Sequence, residues 1–213
     1  MPKPRLTAFP PLKIHRPLAP FSLARTFKTT TPPQATISSA VKADHGEIKD
    51  CYANFLEALS FDDKKQWATR LAWELARHSA GERLVLYPVF EDYYGAEGKA
   101  IAERGRSYYK MYKDHLRTLE TTNVSNSSFR PTFDELMASL LERMEEKEQR
   151  DLPLLEAIRV EPAMSHSLAQ SFQQTKSVLT PSGKLPFETP SALIDAPIDT
   201  LLGIFQKIRS RAA

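Results

Sequence analysis

The sequence predicts an all-α protein, an antiparallel four-helix bundle with extended N- and C-terminal arms. Three observations predict it. Seven glycines against 16 prolines is a poor supply for a β-rich chain, whose turns consume glycine. Between Val41 and Glu120 proline occurs only at Pro88. Over that span apolar residues recur at helical rather than strand spacing. At 213 residues the chain is long enough to bury a core without covalent staples. Its single cysteine, Cys51, excludes an internal disulfide framework and a multi-cysteine metal cluster. No apolar run approaches the roughly 18 residues of a membrane span. The longest, Leu84 to Phe90, has seven and contains Pro88.

Charge, helical periodicity and proline content divide the chain into three parts: a basic tail (1–37), the bundle (38–160) and a proline-rich arm (161–213). Seven bases, nine Ser/Thr and eight prolines precede the first acid, Asp44, and leave 22 bases against 26 acids behind them. The net charge of +3 therefore belongs to the tail, and the folded part is acidic. That balance argues against nucleic acid as a partner, since no basic face backs the tail. An acid-free, arginine-bearing, hydroxyl-rich start is the composition of an organellar transit peptide, with Leu23 to Phe27 suited to processing. The expected address is the mitochondrion; a basic tail without that role would leave the protein cytoplasmic.

The first helix is expected from the caps Ser38/Ser39 to about Ser60, with His45, Ile48, Tyr52, Phe55 and Leu59 on one stripe. The second starts near Asp62 and carries Leu71, Leu75, His78, Glu82, Val85 and Val89 on one face. Pro88 should kink or end it, and Gly95 and Gly98 mark the turn. The third, about 97–121, aligns Ile101, Tyr108, Tyr112, His115 and Leu119. A polar loop follows to Ser128, and the fourth opens at Pro131 and passes or kinks at Pro153. Beyond Val160 five prolines (Pro162, Pro181, Pro186, Pro190, Pro197) predict an extended arm. It carries helical stretches near Ser167 to Leu179 and Ile198 to Arg209, and apolar residues for packing onto the bundle.

Three of the five histidines, His45, His78 and His115, each occupy the core stripe of a different helix, and Glu82 lies one turn after His78. Imidazoles plus a carboxylate in a bundle core are a ligand set for iron, manganese or zinc. A buried histidine–carboxylate hydrogen-bond network satisfies the same pattern. Asp44-His45, His78-Ser-Ala-Gly-Glu82-Arg-Leu-Val-Leu-Tyr-Pro88, Lys113-Asp114-His115 and Glu145 to Glu148 leading to Leu152-Pro153 resemble the hemerythrin-like (HHE cation-binding) domain. The resemblance covers about 38–158. The arm, with Ser167 to Phe172, Thr175-Lys176 and Ala196 to Asp199, is similar to extensions of fungal members.

The resemblance implies a four-helix bundle with a non-haem di-iron centre, used for dioxygen carriage, nitric-oxide or peroxide handling, or iron sensing. It places His45, His78, Glu82 and His115 at ligand positions. On the fourth helix the family's histidine falls on Arg143 and its bridging glutamate on Lys147, neither of which is a ligand type for two cations. Two outcomes are open. Rotation of the helix, onto a stripe of Met137, Leu141, Met144 and Leu152 that the spacing supports as well as one of Leu136 and Leu140, would bring Glu148 inward. That gives a reduced metal site of His45, His78, Glu82, His115 and Glu148 for iron or another divalent metal. Alternatively, Arg143 and Lys147 occupy the place of the metals, pair with Glu82 and favour an anionic small molecule. The latter describes a metal-free accessory or catalytic protein of a fungal biosynthetic pathway. The partner is thus a metal ion or a small molecule.

Overall fold

The computed structural model describes residues 35–157, 162–179 and 187–212. Residues 1–34 of the proposed transit peptide lie outside the described residues, as do Pro181, Leu185 and Pro186 of the arm, while Thr36 and Ile37 belong to the start of the first helix. Every regular element among the described residues is helical. Helix α1 (Ile37–Glu57) opens on Thr36, whose side chain accepts the Ser39 N–H, two residues before Ser38. Its buried face is Val41, His45, Ile48 and Phe55; Leu59, placed on that stripe by spacing, lies past the helix end and is fully exposed. Helix α2 (Phe61–Gly81) is capped by Ser60 and buries Leu71, Leu75 and His78.

Pro88 neither ends nor sharply breaks the second helical leg. A π-helical turn (Glu82–Leu86) precedes it, and helix α3 (Tyr87–Thr121) continues from there. The Tyr87 N–H reaches back five residues to the Glu82 carbonyl, so the proline ring follows a widened turn instead of a regular one. The same device recurs at Pro153. Helix α4 (Phe129–Glu146) runs into a second π turn (Lys147–Asp151), whose Leu152 N–H bonds to the Lys147 carbonyl, and α5 (Leu152–Ala157) carries the proline. Chain reversal within α3 occurs at Gly95, whose φ of 53° only glycine adopts without strain. There a Cβ on Gly98 would stand 1.8 Å from the Phe90 carbonyl oxygen, so the two legs meet through a bare backbone.

The inward face of α4 carries Leu136, Leu140, Arg143 and Lys147, with Met137 and Met144 alongside, while Leu141 is exposed. The arm packs on this bundle through α6 (Pro162–Val178), α7 (Pro190–Asp195) and α8 (Ile198–Ala212). Helix α6 lies against α1 and α2, burying Phe172 and Thr175, and Ser165 Oγ accepts the Ile37 N–H at 3.1 Å. Helix α7 is fastened to the bundle by Arg83, which donates to the Ile194 and Ala196 carbonyls at 2.9 and 2.6 Å. Lys113 and Arg117 both reach Asp195.

Candidate functional site

Glu82 is the centre of the site. The first residue of the first π turn, it is fully buried, where a lone carboxylate would be prohibitively costly. Four donors surround it. Lys147, first residue of the second π turn, bonds to Oε1, and His78 Nε2 lies 3.0 Å from the same oxygen. The hydroxyls of Tyr87 and Tyr109 donate to Oε2 at 2.7 and 2.6 Å. Burial alone would raise the Glu82 pKa, but Lys147 and then His78 outweigh it and hold the carboxyl well below its usual range. Burial lowers the Lys147 pKa, with Glu82 opposing, and raises those of Tyr87 and Tyr109 well above the ordinary phenol value, so both remain donors. Facing π turns thus present a carboxylate and an ammonium to each other, and such turns frequently mark functional sites.

The histidines are held from behind. His78 Nδ1 lies 3.1 Å from Asp44 Oδ2, and His45 Nδ1 lies 2.6 Å from Glu148 Oε1. A carboxylate only accepts, so both Nδ1 atoms carry the proton. Burial works against charge on His78, but Glu82 and Asp44 prevail and raise its pKa. The neighbouring His45, its ring 5.1 Å from that of His78, is driven the other way. Burial and the His78 charge lower it to about 4, which leaves a neutral ring despite Glu148. Asp44 is in turn bonded to Lys176 of α6, whose ammonium also reaches Glu47 at 3.1 Å and Glu74 at 3.4 Å. Phe172, one turn earlier on α6, packs edge-on to His78 and fills the space above Gly81.

Arg143 does not pair with Glu82. Its guanidinium bonds to Glu146 at 2.5 Å and to Asp151 at 2.7 Å and lies over the Tyr108 ring. Arg143, Lys147, His45, Glu82 and the tyrosines, with Leu75, Leu140 and Met144, line a cavity of about 20 Å³, room for one water-sized group.

The structure brings together His45, His78 and Glu82, whose ligand atoms lie within 4.8 Å of one another. It does not bring His115 to them. That side chain faces Glu135 at 3.7 Å, with its Nδ1 buried and unbonded. The expectation of His115 as a ligand is corrected by level. It shares a helical face with Tyr108 and Tyr112, but stands six residues, about 9 Å of helix rise, beyond Tyr109. Glu148 meets His45 on the proton-bearing side of the ring, away from the side a ligand nitrogen would use. Asp44, Tyr87, Tyr109, Asp151 and Lys176 were not singled out by spacing. Asp44, Tyr87 and Asp151 stand within the motif blocks, and a buried imidazole or carboxylate requires such partners; nothing in the sequence ties Lys176 to Asp44.

Comparison with known proteins agrees with this architecture. The family model described as the hemerythrin HHE cation binding domain matches residues 36–155. An uncharacterized hemerythrin-like protein of Schizosaccharomyces pombe is 40% identical over 177 residues, spanning 80% of this chain and 87% of that protein. That likeness is longer than the family-matched segment and so includes chain outside it. No solved structure matches. With the matched segment carrying the His45–His78–Glu82 cluster between its helices, the chain belongs to the hemerythrin family and contains its HHE cation-binding domain.

Proposed function

We propose that this chain is a metal-independent member of the family, in which the Lys147 ammonium serves as the cation of the site and the adjoining cavity receives part of an anionic small molecule. The observation that carries this reading is the saturation of Glu82. A carboxylate offers about four lone-pair positions, and Lys147, His78, Tyr87 and Tyr109 take them all. A metal would have to displace one of these donors while lying against a buried ammonium. The residues present do not fit a di-metal centre: His115 is remote, and Arg143 and Lys147 bring positive charge where two cations would need ligands. An anion suits the same lining, because charge-assisted hydrogen bonds are roughly twice as strong as neutral ones. The role is then that of an accessory or catalytic binding protein, and the acid-free tail supports delivery to the mitochondrion.

Metal analysis tests the reading. Iron, zinc and manganese should stay far below one per chain in the purified protein and after reconstitution. Arg143→His combined with Lys147→Glu should raise metal uptake. One tightly held metal per parent chain would overturn the proposal.

One observation favours a second reading. His45 and His78 each give Nδ1–H to a carboxylate, the second-partner arrangement of metal-ligating imidazoles. In that reading His45, His78 and Glu82 hold a single divalent metal, iron first, which would supply redox or oxygen chemistry when bound. The same metal analysis separates the two.

A further inference from the structure

On the α3/α4 side of the cavity, three guanidinium groups converge on two carboxylates. Arg143 bonds to Glu146 and Asp151 at 2.5 and 2.7 Å. Arg150 reaches the same pair at 2.5 and 3.3 Å, and Arg104 approaches them at 3.5 and 3.4 Å. Three positive charges against two negative leave this cluster in surplus by one, while Lys147 below it is matched to Glu82. One buried donor in it, Arg143 Nε, finds no acceptor, and the buried Arg104 Nε has only the 3.5 Å approach to Glu146 without hydrogen-bond geometry. Buried N–H groups are rarely left unsatisfied, and one that is calls for an explanation such as a bound ion or water.

The exposure of these cations, joined to one another through the shared carboxylates, falls in steps toward Lys147. Their side chains are 51% exposed at Arg150, 34% at Arg104, 6% at Arg143 and 4% at Lys147. The inner two line the cavity, which admits a single oxygen-sized group and no more. A ligand seated here therefore keeps most of its body among the arginines and extends one atom toward Lys147. A planar carboxylate matches the forked guanidinium geometry, as Glu146 and Asp151 already demonstrate within the chain.

We infer that Arg104, Arg143 and Arg150 form the binding mouth for a small carboxylate, which enters from the α3/α4 surface and presents one oxygen to the Lys147 cavity. This assignment rests on the metal-independent reading and names the ligand class of that site. The test uses the full-length protein with acetate as the probe, in buffers matched in ionic strength with chloride. Acetate should raise the thermal midpoint saturably above chloride. The double variant Arg104→Gln, Arg150→Gln, altered only at the rim, should lose that response or need at least ten-fold more acetate. Arg143→Lys, which keeps a buried cation but loses the fork and the Nε–H, should weaken it likewise.

An equal rise with chloride, an acetate response unchanged in both variants, or saturable binding of inorganic phosphate without acetate would overturn the assignment. Metal content is measured on the same sample. A metal-free protein indifferent to acetate sinks this inference alone, whereas one metal per chain sinks the reading beneath it.

Discussion

The pair Lys147–Glu82 should be coupled more strongly than any surface ion pair of the molecule, and a double-mutant cycle measures this directly. Breaking a buried pair by removing one partner typically costs about 3–5 kcal/mol. The structure assigns each single variant to an end of that range. In Lys147→Met, Glu82 keeps three of its four donors, the His78 Nε2 and the two tyrosine hydroxyls, so the loss should lie near 3 kcal/mol. In Glu82→Gln, the buried Lys147 ammonium loses the carboxylate it bonds to, and His78 loses the stronger of the two carboxylates that hold its proton. That loss should lie near 5 kcal/mol.

The double variant Lys147→Met, Glu82→Gln removes both charges and should cost no more than the worse single change. Its departure from additivity is then about 3 kcal/mol, at the top of the range for residues in contact. Urea unfolding at constant m-value supplies all three numbers. Additivity within about 0.5 kcal/mol, or a Lys147→Met cost below about 1 kcal/mol, would refute the reasoning. So would stabilisation of Lys147→Met by zinc or ferrous iron well beyond their effect on the parent, since the site would then be one that the lysine merely obstructs.

Other consequences are local. A Cβ on Gly105 would stand 2.1 Å from the Tyr87 hydroxyl and 2.5 Å from its Cζ, so Gly105→Ala should cost about 1–3 kcal/mol in urea unfolding, and less in a Tyr87→Phe background where the nearer of the two colliding atoms is gone. Phe172→Ala should cost about 3–5 kcal/mol by the same measurement and speed tryptic cleavage after Lys176; unchanged cleavage would mean that α6 is not held by that ring. Cys51 is buried and its thiol is pushed up to about 11 by burial, so thiol reagents at pH 8 should modify it only in unfolded protein. Rapid labelling in native buffer would contradict the packing of α1.

Helical periodicity identifies which face of a helix turns inward, and to that extent the fold and much of the site were legible. His45 and His78 each lie on a stripe that turns inward between helices running side by side, and their rings meet there. The stripe does not report depth along the axis, which is why His115 could share a face with Tyr108 and Tyr112 and still stand about 9 Å from the level of the site. For α4 the spacing left two faces balanced, Leu136/Leu140 against Met137/Leu141. The structure turns Leu136, Leu140, Arg143 and Lys147 inward and exposes Leu141. The prolines were visible, but not their accommodation. A π turn has no composition of its own, and only the bonds from Tyr87 to Glu82 and from Leu152 to Lys147 show that both helices widen just before the ring.

The deepest part of the site was illegible for a different reason. Asp44 and Lys176 stand 132 residues apart, and no periodicity connects positions that far along a chain. Yet their bond follows from a rule that needs no periodicity: a buried charge must be matched. Once Glu82 is placed in the core, a cation has to accompany it, and Lys147 arrives from the fourth helix. Once Asp44 is committed to the His78 Nδ1–H, its other oxygen requires a donor, and α6 provides Lys176. The arm is therefore part of the electrostatics of the site as well as its cover. A chain ending after the family-matched segment would leave Asp44, Glu47 and Glu74 without their shared cation and Gly81 without the Phe172 ring over it. Charge matching thus extends the functional unit from the four-helix domain to α6, by the same requirement that sets Lys147 against Glu82.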